Sequence, residues 1–557
     1  MKVSDTSDLW WKSAVVYCLE VETYMDGNGD GIGDFSGLAT RIDYLAELGI
    51  TCLWLMPFYP SPDRDDGYDI TDFYGVDRRL GDFGDFVEVI RIARDRGIRV
   101  IIDLVVNHTS DQHPWFRSAR ASRTSEFRDY YVWRDEPPKD SPPPVFPDKE
   151  TSDWQWDEKA GQYYQHVFYH QQPDLNITDV RVRDEIAKVM GFWLQLGVSG
   201  FRIDAVPYLL QTDGIVDGTR LLPDPHAYLR ALRAFAGRRE GDAMLLGEVN
   251  LSRKEQNRYF GGKNGDELNS QFDFISMQNL YLSLARGDAR PLMKALKSRP
   301  ATSPDVQWAN FVRNHDELTL DKLTDEEREE VFAAFGPEKR MQVYGRGLVR
   351  RLPTMLDGDP RRIRMVYSLL FSLPGTPVLF YGEEIGMGEN LAIEGREAVR
   401  TPMQWNTGRN GGFSTAAPSR LRRPITEGGY GPEHVNVAQQ RRDPESLLHF
   451  MRTLIRHYRN ARELGWGAFR VLEQPERSVF AHSLTSGHRV IVAAHNFASS
   501  ACDVLVTLDD PRSDLILTDL FTSEEFAVTR GRATVPLDGY GYRWLRLSPE
   551  SERWRDF

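Results

Sequence analysis

At 557 residues the chain exceeds what one hydrophobic core organises, so a large domain with smaller attachments is expected. Its formal net charge of −13, with no long block of either sign, argues against DNA or RNA as partner, because a phosphate footprint needs clustered Lys and Arg. No run of about 18 apolar residues is present to cross a membrane.

The opening "MKVSDTSDLWWKS" lacks the apolar core of a secretory signal. Cys18 and Cys52 sit in apolar runs, and with Cys502 they suggest neither a disulfide framework nor a thiolate metal site. The expected compartment is the cytoplasm.

Short apolar runs then alternate with helical patterns. "AVVYCLEV" is followed by the helical "GLATRIDYLAELG", "ITCLWLMP" by "FGDFVEVIRIARDRG", and "IRVIIDLVV" by an irregular stretch and the helical "VRDEIAKVMGFWLQLG". "VSGFRIDAV" precedes "AYLRALRAFA", and "AMLLGEV", "FDFIS", "WANFVRNH" and "PVLFYG" complete eight strand candidates. The runs are continuously apolar, as strands covered on both faces require. Eight strand–helix units predict an α/β fold, a (β/α)8 TIM barrel.

Residues 109–178, rich in aromatics and proline, are too long for a simple loop and read as an inserted B domain after strand 3. The barrel accordingly divides into residues 1–108 and 179–464, with a helical excursion over about 318–350. From 465 to 557 short strands separated by turn signals predict a C-terminal antiparallel β-sandwich.

Polar residues gather at the C-terminal ends of the strands, the face where this fold builds active sites. "GFRIDAV" places Arg202 and Asp204 in an otherwise apolar strand. Either they are a structural ion pair, or Asp204 is a nucleophile kept ionised by Arg202. Glu248 ends the next strand, so the two carboxylates can face each other across a small substrate. About 5–5.5 Å between such carboxylates is the pattern for glycoside transfer with retention. One attacks the anomeric carbon; the other, its pKa raised, serves as acid and then base. Asp316, beside His315, is placed to bind two sugar hydroxyls as the ring flattens, and His108 to donate to another.

Asp65 and Tyr68 in "RDDGYD" could reach the floor of the site, or merely form a turn. In "DGNGDGIGD", Asp26, Asn28, Asp30 and Asp34 could converge with the carbonyl of Ile32 on a structural Ca2+, or form a Gly-Asn turn. No organic cofactor is expected.

"DLVVNH", "GFRIDAV", "GEV" and "RNHDE", in that order, resemble the four signature segments of the α-amylase family (glycoside hydrolase family 13). The resemblance extends over barrel, inserted domain and C-terminal β domain. It implies Asp204 as nucleophile, Glu248 as acid/base and Asp316 as transition-state stabiliser. It also implies that Asp65, Tyr68, His108, Arg202 and His315 shape the subsite for the non-reducing glucose. Arg400, in "VRTPMQW", would pair with the glucose-binding aspartate.

Within the family, "PFYPSPDRDDGYDI", "NHDELTL" and "VRTPMQWNTGRNGGFS" resemble the branch that interconverts maltose and trehalose by intramolecular glucosyl transfer. The alternative is an exo-acting α-glucosidase or sucrose-type hydrolase with the same triad. In either case the partners are small α-glucosides: maltose, trehalose or sucrose. Two departures stand out. Residues 272–280, "FDFISMQNL", lack the Pro and Arg of that branch, which bears on acceptor preference. A second calcium set, Asn107, Asp174, Tyr208 and Leu209, has Gln211 where Glu is expected.

Overall fold

The computed structural model describes residues 9–139, 141–210, 224–509 and 514–549; Gln211 lies outside them. Eight parallel strands close into a barrel: β1 (Val16–Leu19), β2 (Cys52–Leu55), β3 (Arg99–Leu104), β4 (Gly200–Ile203), β5 (Met244–Gly247), β6 (Ser270–Phe272), β7 (Gln307–Asn310) and β8 (Thr376–Phe380). Neighbours follow chain order around the ring, and β8 pairs with β1. Nearly every strand residue is buried, because side chains on one face fill the barrel and those on the other meet the helices.

The register sets the site. Asp103 on β3 lies opposite Arg202 on β4, and Ile203 lies opposite Gly247 on β5. Asp204 and Glu248, each one residue further on, therefore emerge side by side.

The helices between the strands carry the end signals their sequences contain. Asp82 and Asp85 close a reciprocal capping box at the start of Phe83–Asp95. The "FDFIS" strand expectation needs correction. β6 ends at Phe272, and the Asp273 carboxylate accepts from the Ser276 amide, capping the helix Phe274–Arg286. A buried aspartate ahead of a helical repeat outweighs the two phenylalanines.

Between β3 and β4, strands Trp133–Arg134, Gln162–Gln165 and Trp154–Asp157 form a small antiparallel sheet. Bridges from His108 to Asp174 and from Tyr131 to Leu175 tie it back to the barrel end. The segment after β7 is more than helical. Beside the helix Asp325–Phe335, Leu318–Thr319, Gly347–Leu348 and Gln342–Val343 make a three-stranded antiparallel sheet. Strands of two residues carry too little alternation to register in a sequence pattern.

C-terminal to the barrel, a six-stranded and a two-stranded antiparallel sheet enclose a second core around Val479, Val492, Val504 and Leu545. Cys502–Thr507 and Arg532–Leu537 alternate buried and exposed side chains, as half-covered strands do. The six-stranded sheet docks on the barrel helix Pro360–Ser372, where Ser368 Oγ accepts from Trp544 Nε1 at 3.1 Å and lies 3.0 Å from His495 Nε2.

Candidate active site

Arg202 is the keystone. Its side chain is 1% exposed and sits between three carboxylates. Nη1 donates to Asp103 Oδ1 at 2.6 Å and to Asp204 Oδ1 at 2.5 Å, and Nη2 donates to Glu248 Oε2 at 2.6 Å. Sharing one planar fork holds the Asp204 and Glu248 oxygens on the two terminal nitrogens of a single guanidinium. Ala205, in the left-handed region at φ 48°, turns the chain sharply after Asp204. That turn brings its amide to Glu248 Oε2 at 3.3 Å. A non-glycine residue in this conformation is a strained backbone of the kind found at active sites.

The two carboxylates are poised at different protonation. Burial is the main influence on both. Asp204 is pushed up to about 6: Arg202 opposes the rise, while Asp103 and Asp316 add to it. Arg202 still acts to keep Asp204 ionised, as the sequence suggests, but against burial and two neighbouring acids. One guanidinium shared by three acids cannot offset their desolvation. Glu248 is pushed up to about 7 by burial, against Arg202 and with Asp204 and Asp316. Asp316 behaves oppositely. Burial raises it, but His315, Arg396 and Arg400 hold it well below the ordinary carboxylate range.

These groups open into a cavity of about 570 Å³, within the ~300–1,000 Å³ of small-ligand sites. Asp65, Tyr68, His108, Asp204, Glu248 and Asp316 all line it. Tyr208, named for the second calcium set, also lines it, as does Phe274 from the 272–280 segment. Arg202 and His315 stand behind the wall. His315 Nε2 lies 2.8 Å from the Tyr68 hydroxyl and 3.1 Å from Asp316 Oδ2. Its ring stacks on Tyr68 at 5.7 Å between centroids. His108 Nε2 donates to the Tyr68 carbonyl at 3.2 Å. Burial pushes both histidines down to about 4, so each is a neutral imidazole at neutral pH.

Arg400 pairs with Asp66 and Asp316 and does not reach Asp65. It is fully buried beneath the site, donating to the His315 carbonyl at 2.8 Å and lying 3.2 Å from Asp316. Asp65 pairs instead with Arg396, which also donates to Asp316 Oδ1 at 2.9 Å and lines the cavity. The one-turn helix Gly395–Val399 separates the two arginines by four residues, sending Arg396 to the wall and Arg400 below it. Gln172 adds a 2.9 Å bond to Asp65. Asp103 was legible by the logic that singled out Arg202, a charge inside an apolar strand, whereas Arg396 and Gln172 carried no local signal.

The "DGNGDGIGD" loop is held by its own side chains. Asp26 accepts from the Gly29 and Gly31 amides at 2.6 and 2.9 Å and from Ser414 Oγ at 2.5 Å. Asp34 accepts from Gly27, Asn28 and Gly37. Asn28 and Asp30 close short turns onto the amides of Asp30 and Ile32. At the second set, Asn107 Nδ2 donates to Asp174 at 3.1 Å, and burial pushes that carboxylate up to about 8; Leu209 is buried nearby in sequence to the exposed edge of Tyr208. Among the described residues, no three or more His, Cys, Asp or Glu side chains are arranged to hold a metal ion.

Fold and site together define a glycoside-active barrel enzyme. The alpha amylase catalytic-domain family matches residues 20–335 and 349–467, and the chain belongs to that family. Residues 489–546 match the C-terminal domain of sucrose hydrolase-like proteins. The chain is 39% identical to a trehalose synthase of Pimelobacter sp. (strain R48), over 97% of this chain and 96% of that one. It is 43% identical to the trehalose synthase/amylase TreS of Mycobacterium tuberculosis (strain CDC 1551 / Oshkosh), over 85% and 79%. Among solved structures, the trehalulose synthase MutB from Pseudomonas mesoacidophila MX-45 superposes with a TM-score of 0.77 at 27% identity, covering 97% of this chain and 99% of that one.

Proposed function

We propose that the protein interconverts maltose and trehalose by moving a glucosyl unit within the closed pocket, through a covalent ester on Asp204. The observation that carries this reading is the pair Asp204 and Glu248 on one Arg202 fork, at the floor of a cavity sized for a disaccharide. The trehalose synthases at about 40% identity support the choice of substrates.

Asp204 attacks C1 of the non-reducing glucose while Glu248 gives its proton to the departing O4. The C1–O4 bond breaks as the C1–Oδ ester forms. The freed glucose turns within the pocket and presents its O1 hydroxyl. Glu248 takes that proton as O1 bonds to C1 and Asp204 leaves. Two inversions give retention. Asp316 and Asp65, oriented by Arg396, accept hydrogen bonds from hydroxyls of the bound ring, and Tyr68 covers one face of it.

Incubation with maltose and chromatography of the products over time tests the reading. Trehalose with little free glucose is expected; glucose as the dominant product from the start would move the assignment to an α-glucosidase or sucrose-type hydrolase.

We also propose Ca2+ as a structural ion of the Asp26–Asp34 loop. Its donors are hard oxygens, and Asp26 Oδ1 and Asp34 Oδ1, each accepting one amide, keep a second lone pair. Chelation is expected to lower the melting temperature and Ca2+ to restore it; the bound stoichiometry reports whether the Asn107 and Asp174 set takes a second ion. An unchanged melting temperature with no bound calcium would remove the ion from the account. The three unpaired cysteines support a cytoplasmic location, which secretion by the native host would contradict. No helix among the described residues is long and apolar enough to cross a membrane.

A further inference from the structure

A hairpin tip stands at the rim of the cavity. Gln342–Val343 and Gly347–Leu348 leave Tyr344, Gly345 and Arg346 as a three-residue connection, the first two with positive φ, 55° and 64°. Turns of this hand match the twist of paired strands. A tyrosine there is a strained backbone, and such strain persists where the surroundings over-determine it. Tyr344 is buried. Its ring lies 4.9 Å from that of Phe146, and its hydroxyl 3.3 Å from that of Tyr169.

Arg346 ends the connection and lines the cavity. Its Nη1 donates to the Val145 carbonyl at 2.8 Å, and its Nη2 pairs with Glu317 at 3.4 Å. Glu317 is the neighbour of Asp316. One hairpin tip thus fastens the wall formed by Pro143, Pro144, Val145 and Phe146 to the segment after β7 that carries Asp316.

We propose that Arg346 and Tyr344 clasp this wall over the cavity and so decide which acceptor discharges the glucosyl ester; the inference rests on the glucosyl-transfer reading above. Discharge breaks the bond between C1 and Asp204, forms a bond from C1 to the incoming oxygen and sends that oxygen's proton to Glu248. The chemistry is the same for a retained glucose and for water. The outcome follows from whether glucose stays and water is kept out, and a fastened wall serves both ends. Arg346 is a positioning residue: its acceptor is a backbone carbonyl of the wall, not the sugar.

The test is the product ratio from maltose for wild type, Arg346→Ala, Arg346→Lys and Tyr344→Gly, with labelled glucose added to the medium. Glycine keeps the turn at positive φ while removing the ring. Loss of the charge-assisted bond in Arg346→Ala is expected to raise the glucose-to-trehalose ratio about tenfold. Labelled glucose should then enter the disaccharides, with Arg346→Lys in between and Tyr344→Gly shifted the same way. Wild-type isomerisation with unchanged ratios and no label entry in both Arg346→Ala and Tyr344→Gly would overturn the clasp. A wild type that releases only glucose would instead overturn the glucosyl-transfer reading.

Discussion

At the scale of single residues, the site works because neighbouring acids differ in their hold on a proton. Asp204 must be ionised and Glu248 protonated at the start of each turnover. With Asp204 raised to about 6 and Glu248 to about 7, kcat/KM should rise as pH climbs past the first value and fall past the second. A bell with both limbs in that region is expected from initial rates across pH, its two apparent values belonging to the coupled pair. A flat profile from pH 5 to 8 would contradict the assignment. Asp204→Asn is expected to abolish turnover yet melt no lower than wild type. The folded-state pKa of Asp204 lies above its unfolded value, so at neutral pH its ionised form opposes folding, and a neutral amide relieves that opposition. Scanning calorimetry checks the second half of the statement.

The two arginines separated by four residues make a further contrast. Arg396→Gln should raise KM for maltose at least about tenfold, with a smaller loss of stability than Arg400→Gln because the carboxylates it leaves, Asp65 and Asp316, face the open cavity. Arg400→Gln should act mainly on stability. It leaves Asp66 with Arg423 as its remaining buried counter-charge, so the loss should stay below the ~3–5 kcal/mol of breaking a lone buried pair. Denaturant titration beside steady-state kinetics separates the two effects; equal effects of both variants on KM would argue against the distinction.

At the scale of elements, most of the barrel was legible because a strand covered on both faces must be apolar throughout, and seven of the eight candidates carry that run without ambiguity. The sixth was readable only in part. In "FDFIS" the aspartate is a helix cap, and nothing local separates a capping acid from a loop acid. Its importance shows in three dimensions, where Arg253 and Arg299 both pair with it at 2.7 and 2.6 Å. Asp273→Ala is therefore expected to destabilise by about 3–5 kcal/mol, read from urea denaturation, because it leaves two arginines without their counter-charge. Asp204 and Glu248, the carboxylates proposed as catalytic, were singled out by their places just after β4 and β5. Arg396 was not, because the partner of Asp65 is fixed by the path of a one-turn helix after β8, and a sequence motif does not specify that path to within four residues.

At the scale of the whole molecule, none of the described residues of the C-terminal sheets lines the cavity. Their link to chemistry is mechanical, through Trp544 and His495 on Ser368 of a barrel helix. Trp544→Ala is expected to lower stability by about 3–5 kcal/mol, as truncation of a fully buried aromatic does, and to leave the ratio of trehalose to glucose unaltered. Calorimetry and product analysis on the same preparation check both parts, and a changed ratio would imply a coupling from sheet to pocket.

The surplus of carboxylates around Arg202 and Arg396 has a consequence for what the pocket welcomes. Its interior potential is negative where the anomeric carbon of a substrate would rest, and a neutral sugar uses that field only briefly, as positive charge gathers on its ring. A guest that carries permanent positive charge, such as a protonated imino sugar, enjoys the field from the moment it enters. Such cations should compete with maltose far better than their uncharged counterparts do, and should lose that advantage in acid, as the carboxylates around them take up protons.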